Sequence, residues 1–440
     1  MEENKAIKTF QYRIYPTKVQ ELQLQGHLDV TRAWYNMCLE ERLLVYQSRK
    51  VKETLANGGT ISEAATFLKI RLPKETVAEI KKHPKDERKP LYDKAYEEAG
   101  KSPEVATLVQ IFANCDLPEK VSKFDQYKQI AAYRKSIPAA RCVSVAMLRR
   151  AAMDLDESYQ AFFKKKKAEK KAGLPGYRQH QFHSSFGVTQ WEGGGIRLVN
   201  HRLYIFGIDG TIKIKWHRPY EGTIKTSSVI RKADGWYISL TCEIEKSEPL
   251  PPTDRAIGVD CGIHHLMTTS DGKIIDNPKW YQESQRRLRI LQHGLDRKTQ
   301  GGMNYERNKK QIAKLHLKIT RQREDFFDRL AYHWCKDYDV IVFENLQIAN
   351  MVRNKHLSKS ILDAGWGYFM ERVQVKAQET GSKIVFIPPH YTSKTCSKCG
   401  YVFEDLRLSD RWIACPECGL SMDRDHNAAI NILNRGLLDH

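Results

Sequence analysis

The chain contains no run approaching the roughly 18 consecutive apolar residues that a membrane-spanning helix requires. Its first residues, MEENKAIKTFQYRIYPT, carry charges where a secretory signal needs an apolar stretch. These absences point away from a membrane or an exported protein and towards an intracellular one. Acid is also in short supply: 53 Asp and Glu stand against 72 Lys and Arg, a formal net charge of +19 over 440 residues. That excludes an acidic scaffold. No internal repeat is visible, which excludes a solenoid. The composition is that of a globular chain, with 41% hydrophobic and 10% aromatic residues, and at about 150 residues per domain the length predicts roughly three domains. A surplus of positive charge repels itself unless a polyanion neutralises it, and nucleic acid is the commonest polyanion.

Six of the ten cysteines, Cys38, Cys115, Cys142, Cys242, Cys261 and Cys335, are scattered singly among apolar or helical patterns. There a free thiol behaves as a small buried hydrophobe, so all six are assigned to the core. The other four form two C-x2-C pairs, Cys396 with Cys399 and Cys415 with Cys418, separated by fifteen residues. This spacing suits tetrahedral thiolate coordination of one structural Zn²⁺. Two disulfides are the alternative, and the reduced character of the remaining cysteines favours zinc. Gly400 and Gly419 follow the second cysteine of each pair and supply the turn.

The periodicity divides the chain. TFQYRIYP, residues 9–16, alternates as a strand and ends at Pro16, and a helical period follows through Leu22, Leu28, Trp34 and Leu39. Charge-rich helical text with many breakers runs to about residue 140. A further helix over 142–170 closes on Lys164 to Lys167, Lys170 and Lys171. Between Phe182 and Glu245 short β-rich runs alternate with turns, predicting an all-β module, a small barrel whose first strand is the one near the N-terminus. After the linker Pro249-Leu250-Pro251-Pro252 the pattern becomes mixed. RAIGVD, HHLMTTS and DGKIID form a meander; two basic helices cover 280–297 and 305–334; then come the strand DVIVFE, a helix over 360–380, the strand KIVFIP, the cysteine segment and a helix over 425–433. A meander followed by alternating strands and helices is the order of an RNase H type sheet.

Three acids stand where strands end or helices begin: Asp260 in IGVDCG, Glu344 in VIVFENL and Asp425 in DRDHNAA. Hydrolysis of a phosphodiester calls for hard anionic oxygens that hold Mg²⁺ or Mn²⁺, and carboxylates on neighbouring strands supply them. They lie 84 and 81 residues apart, so only the fold can assemble them. A lone Asp after a strand is as often a cap or turn residue; three such positions together favour a metal centre. Gly258 and Gly262, flanking Asp260, are expected to let backbone and substrate approach closely. Asp423 is either a further ligand or a cap of the last helix, with capping favoured.

The segments IGVDCGIHHLMTTSDG, FENLQIANM, LDAGWGYFMERVQVKAQETG, TSKTCSKCGY and CPECGLSMDRDHNAAINIL resemble the RuvC and zinc-ribbon half of TnpB, the insertion-sequence-encoded RNA-guided DNA endonuclease family close to the miniature type V CRISPR effectors. RIYPTKVQ, TRAWYN and GLPGYR resemble that family's front half. The resemblance implies a multidomain α+β fold, a wedge β-barrel interrupted by a helical recognition lobe and followed by an RNase H-like RuvC domain with an inserted zinc ribbon. The implied boundaries are 1–16 and 173–250 for the barrel, 17–172 for the lobe, 254–389 and 423–440 for RuvC, and 390–422 for the ribbon that binds target nucleic acid. It implies that Asp260, Glu344 and Asp425 are the catalytic acids holding two Mg²⁺ (or Mn²⁺), and that Cys396, Cys399, Cys415 and Cys418 hold zinc. Residues 51–140 are longer than a minimal TnpB needs, so the guide RNA is either a transposon-end RNA or a CRISPR RNA.

The implied function is cleavage of target double-stranded DNA in one RuvC site, leaving a 5′ phosphate, in the cytoplasm of a prokaryotic cell and on its nucleoid, by a monomer or homodimer. The alternatives are an RNA-guided DNA-binding repressor that does not cut and a guide-independent RNase H-fold nuclease or transposition factor. Phosphate-contact candidates are Arg286, Arg287, Arg289, Lys309, Lys310, Lys314, Arg321 and Lys164, Lys165, Lys166, Lys167, with Arg297, Lys298, Arg307, Lys318 and Arg323 in the same stretch. A solvated helical face is the plainer reading of each one alone. Tyr12, Tyr15, Trp34 and Tyr35 could stack on bases, but the helical spacing of Trp34 and Tyr35 favours the core.

Overall fold

The computed structural model describes residues 5–68, 73–84, 87–168, 173–246, 248–354, 357–407 and 410–438. Lys170 and Lys171 lie outside the described residues. Two compact units divide the chain, one of Ala6–Ile244 and one of Glu245–His440 with Met1–Lys5. Among the described residues no helix is long and apolar enough to cross a membrane.

In the first unit, β1 (Lys5–Tyr15) alternates so that Phe10, Tyr12 and Ile14 are buried. Pro16 ends it. Thr17 then caps α1 (Lys18–Ala56): its hydroxyl accepts from the Gln20 N–H while the Gln20 side chain accepts from the Thr17 N–H, so two orphan donors are satisfied reciprocally. Leu24, Leu28, Trp34, Tyr35 and Leu39 are buried, which places Trp34 and Tyr35, like Tyr12, in the core. The helical text resolves into α2 (Ile61–Ala65), α3 (Lys74–Lys82), α4 (Arg88–Gly100), α5 (Pro103–Asn114), α6 (Lys123–Ser136) and α7 (Val145–Lys167). Ser102, Ser122 and Ser144 cap α5, α6 and α7.

Six strands follow: β2 (Ser185–Val188), β3 (Ile196–Val199), β4 (Arg202–Ile205), β5 (Lys213–Lys215), β6 (Thr223–Lys232) and β7 (Gly235–Glu245). The N-terminal strand joins them in the order β2-β6-β7-β1-β5, and a bridge from Leu203 to Ile212 brings in the β3–β4 hairpin. Of the six thiols assigned to the core, Cys38, Cys242 and Cys335 are buried, Cys115 and Cys261 are half-buried, and one lies at the surface. Cys142 is exposed rather than buried, because it ends a 3-10 turn, Pro138–Cys142, at the surface.

His183 is 7% exposed and pairs with the Thr31 hydroxyl at 3.2 Å. Burial, with the nearby Arg178 and Arg32, lowers its pKa to about 4 against the partial opposition of Asp154 and Asp29. The native state therefore holds it neutral while the unfolded chain protonates it near 6.5. Between those values the unfolded state binds more protons, so stability falls as pH is lowered from 6.5 towards 4. The loss at the low end is on the order of 3 kcal/mol. Comparing denaturant midpoints of the wild type and His183→Asn across that window should show the wild type losing the larger share; parallel profiles would refute the assignment.

In the second unit, β8 (Ala256–Asp260), β9 (Met267–Thr269) and β10 (Ile274–Ile275) form an antiparallel meander. The hairpin of α8 (Trp280–Asp296) and α9 (Met303–Asp337) leads to β11 (Val340–Glu344), then α10 (Ile348–Met351), α11 (Ser358–Ala364), α12 (Trp366–Thr380) and β12 (Lys383–Ile387). β13 (Trp412–Ala414) and β14 (Ser421–Asp423) pair within the cysteine segment, and α13 (Arg424–Leu438) ends the described chain. The five-stranded order is β10-β9-β8-β11-β12, with β11 parallel to both β8 and β12.

The helix expected over 360–380 is two helices. Gly365, at φ 68°, turns the chain between α11 and α12, and a Cβ there would lie 2.9 Å from Arg323 Cδ. Alternation then sorts the sheet faces. Ile257, Val259, Ile341 and Phe343 pack with Phe327, Trp334 and Phe369 of α9 and α12, whereas Val342 packs with Ile432 of α13. Gly258, Asp260 and Glu344 share the parity of Val342 and therefore face α13.

Candidate functional site

The last register pair of β8 and β11 sets Phe343 opposite Val259, so Asp260 and Glu344 are the next residues along two adjacent parallel strands. α13 starts beside them and contributes Asp425 from its first turn. Its approach depends on Gly258. A Cβ at that position would stand 2.3 Å from Ala429 O and 2.6 Å from Leu433 N. The close approach of backbone expected at this glycine is therefore that of helix α13; Gly262 is nearest to His265 O. Gly258→Val should destabilise the unit by about 3 kcal/mol or more, because backbone must move, and should shift Asp425 away from Asp260. A denaturation midpoint equal to wild type would contradict this contact.

The charges of Glu344 and Asp425 bear on Asp260. Burial, followed by the charges of Glu344 and Asp425, pushes Asp260 up to about 8. Burial likewise raises Glu344, which is 9% exposed, against a hydrogen bond from Thr392 and the charge of Arg435. Among the described residues the Asp260 carboxyl takes no side-chain hydrogen bond, while Arg411 and Arg424 approach Asp425 at 3.6 and 3.4 Å. Asp423 is a cap: its Oδ1 accepts from the N–H groups of Asp425 and His426 at 2.9 and 3.0 Å. A divalent cation between these hard carboxylates would relieve the repulsion that, after burial, opposes the ionisation of Asp260.

The four cysteines converge. Their sulfurs all lie within 4.8 Å of one another, the one such group of three or more potential ligands among the described residues. The Sγ separations of 3.6 Å for Cys396–Cys418 and 3.5 Å for Cys399–Cys415 exclude disulfides. They approach the roughly 3.8 Å edge of a tetrahedron with Zn–S bonds of about 2.3 Å. The two knuckles repeat one backbone pattern. Gly400 N–H donates to Cys396 O and Gly419 N–H to Cys415 O, both at 3.0 Å, with φ of 81° and 69° at the glycines. The donor set fits zinc.

Several positioning residues escaped the sequence reading. On α13 Asn427 accepts from the Ser397 N–H and donates to Thr395 O, and Asn431 donates to Thr392 O and Thr395 O. The Thr392 hydroxyl in turn donates to Glu344 Oε1. One helix thus ties the start of the cysteine segment to the acidic centre. The signal was present as N-x-x-x-N, which places both amides on one face.

Of the basic candidates, Arg286, Arg287, Arg289, Arg297, Lys298, Arg307, Lys309, Lys310, Lys314, Lys318 and Arg321 are exposed on the α8–α9 hairpin or its connection, and Lys164 to Lys167 are exposed at the end of α7. Arg323 is a correction. It is paired at 3.0 Å with the buried Asp363 and serves the packing of α9 against α11.

Family profiles match three stretches of the chain: one described as a probable transposase over residues 239–355, a Cas12f1-like TNB domain over 366–432, and a helix-turn-helix domain over 1–50. In the last stretch the structure has β1 and the unbroken α1. The putative RNA-guided DNA endonuclease InsQ of Escherichia coli is 30% identical over 306 residues, 66% of this chain and 74% of that protein. The chain belongs to the TnpB family. Another relative, a putative RNA-guided DNA endonuclease of Streptomyces pristinaespiralis, is 31% identical over 299 residues, covering 67% and 72% of the two chains. The CRISPR-associated endodeoxyribonuclease Cas12f1 of Sulfoacidibacillus thermotolerans is 24% identical over 229 residues, 48% of this chain and 53% of its own. Asp260 and Glu344 fall inside the transposase match, and the cysteine set with Asp425 falls inside the TNB match.

Proposed function

We infer that this TnpB-family protein is an RNA-guided, divalent-metal-dependent DNA endonuclease that cuts target DNA in a single site built from Asp260, Glu344 and Asp425. The observation that carries the reading is the placing of these three acids on the α13 face of the sheet, where burial and then the charges of Glu344 and Asp425 raise the pKa of Asp260. Two Mg²⁺ (or Mn²⁺) ions bound there would supply an activated water and stabilise the leaving oxygen. The chain's own residues do the rest. Thr392 fixes Glu344, Asp423 caps the helix that presents Asp425, and Gly258 lets that helix reach the strand.

In this reading residues 1–16 and 173–250 are the wedge barrel, 17–172 the recognition lobe, 254–389 and 423–440 the RuvC domain, and 390–422 a ribbon holding one structural zinc and contacting target nucleic acid. The exposed cations of α8, α9 and α7 follow phosphate backbones, since base pairing rather than side chains reads the target. The reaction belongs to the cytoplasm of a prokaryotic cell. Treating the purified protein with RNase is expected to abolish cleavage of duplex DNA; undiminished cleavage would select a guide-independent nuclease. Sequencing the RNA that co-purifies tells a transposon-end guide from a repeat-spacer guide.

A further inference from the structure

In the second unit the parallel strands β8 and β11 end side by side, at Asp260 and Glu344. In open α/β sheets ligands collect in the crevice outside such carboxyl ends. Two connections leave that edge: residues 261–266 lead to β9, and the chain after Glu344 leads to α10 and α11. A cavity of about 640 Å³ lies between the first of them, the start of α8, and α11, a size within the roughly 300–1,000 Å³ of ligand sites. It takes His264 and His265 from the first connection, Lys279, Gln282 and Gln285 from the start of α8, and Lys359 from α11.

The acids of the lining are engaged. The buried Asp363 pairs with Arg323 at 3.0 Å and accepts from the Tyr281 N–H, and Asp276 accepts from His265 Nδ1 at 2.9 Å. Its cations are not: Lys279 and Lys359 are exposed and, among the described residues, neither ammonium has an ion pair or hydrogen bond, nor do the amides of Gln282 and Gln285 have a partner. This balance selects an anion. The donors also continue beyond the cavity, because Arg286 and Arg289 stand four residues after Gln282 and Gln285 on α8 and the four side chains share one stripe. Both arginines are exposed and without an acid partner among the described residues. From Lys279 to Arg289 the stripe is about 15 Å long, roughly four of the 3.4 Å steps that separate nucleotides along a duplex strand. A row of that length suits a polynucleotide backbone; a single small anion would leave most of it unused.

We propose that this cavity and the α8 stripe hold the backbone of the DNA strand being cut, a few nucleotides from the scissile bond, with Lys279 and Lys359 on phosphates and Gln282 and Gln285 donating to backbone oxygens. Location selects DNA over guide RNA. His264 follows Asp260 by four residues, so at most about 14 Å of chain separates the cavity wall from the acidic centre, and the polymer that has to reach those acids is the one they cut. The four side chains are positioning residues, which set where the strand lies without touching the reacting atoms. The proposal rests on the cleavage reading above and deepens it by assigning the path along which DNA reaches the acids.

The test uses the full-length protein loaded with its guide RNA and a labelled matching DNA duplex. The double variant Lys279→Met with Lys359→Met keeps both unbranched stems and removes both charges. In EDTA it is expected to bind the duplex roughly three- to twenty-fold more weakly than wild type, and the slope of log Kd against log salt should flatten by about 0.7 to 0.9 for each lost phosphate contact. In Mg²⁺ the KM should rise by a similar factor while kcat stays within twofold, because no group that touches the reacting atoms has changed. Guide RNA affinity should stay within twofold, and Lys279→Arg with Lys359→Arg should restore DNA binding. DNA affinity within twofold of wild type with an unchanged salt slope would overturn the proposal. So would a loss of RNA affinity as large as that for DNA, which would make the site a guide contact. A wild type that grips DNA through these lysines yet cuts nothing defeats the cleavage reading and leaves the site standing. A double variant that binds and cuts like a cleaving wild type defeats the site alone.

Discussion

Asp260→Ala is expected to lower guided cleavage by about 10³-fold or more while RNA and duplex DNA binding persist. The effect is large because Asp260 stands where the charges of Glu344 and Asp425 converge, and two remaining acids offer a cation fewer oxygens. Loss of fold cannot explain that result. Asp260 is the group whose burial and neighbours oppose its ionisation, so Asp260→Asn should leave the protein in EDTA at least as stable as wild type. The stabilisation that millimolar Mg²⁺ confers on the wild type, about 2.7 kcal/mol when the ion is present at a hundred times its Kd, should shrink in the same variant. Full cleavage by Asp260→Ala with binding retained would remove this residue from the reaction.

The second large effect concerns zinc. Mass spectrometry of the folded protein should find one tightly held Zn²⁺ per chain, and Cys415→Ser should lose it. Cys415 is 4% exposed and organises its knuckle through bonds with Leu420 and Gly419. Zinc binding supplies small folds with on the order of 10 kcal/mol at neutral pH, far more than the three-residue strands β13 and β14 can replace. The damage should spread. Asn427 and Asn431 tie α13 to Thr392 and Thr395 ahead of Cys396, and Thr392 holds Glu344. Guided cleavage should therefore fall in Cys415→Ser even though no cysteine belongs to the acidic centre. A variant that lacks zinc and cuts at the wild-type rate would separate the two sites.

Much of this was legible in the sequence because local chemistry and global fold agree. Pro16 followed by Thr17 and Gln20 announces the end of one strand and the start of the long helix, and the paired C-x2-C motifs with their glycines needed only convergence. The acids could be picked out as strand ends, but their meeting depends on a parity that only the sheet reveals: Gly258, Asp260, Val342 and Glu344 all face α13. The same topology explains one misjudgement and one gap. Which backbone approaches Gly258 was not legible, because the helix that passes over it lies about 170 residues further along the chain. Arg323 was counted with the phosphate-binding cations because its partner, Asp363, is 40 residues distant and packed beneath the helix. Cys142 misled for another reason, since a helical period does not show that a short turn lies at the surface.

The central claim is tested most directly by programming the purified ribonucleoprotein with a guide of chosen sequence and following cleavage of a matching DNA duplex with Mg²⁺ and with EDTA. The account predicts cuts in the matched duplex only, dependent on the metal and lost in Asp260→Ala, with 5′ phosphates on the products. Stable, guide-directed binding of the duplex without any cleavage in Mg²⁺ or Mn²⁺ would contradict it.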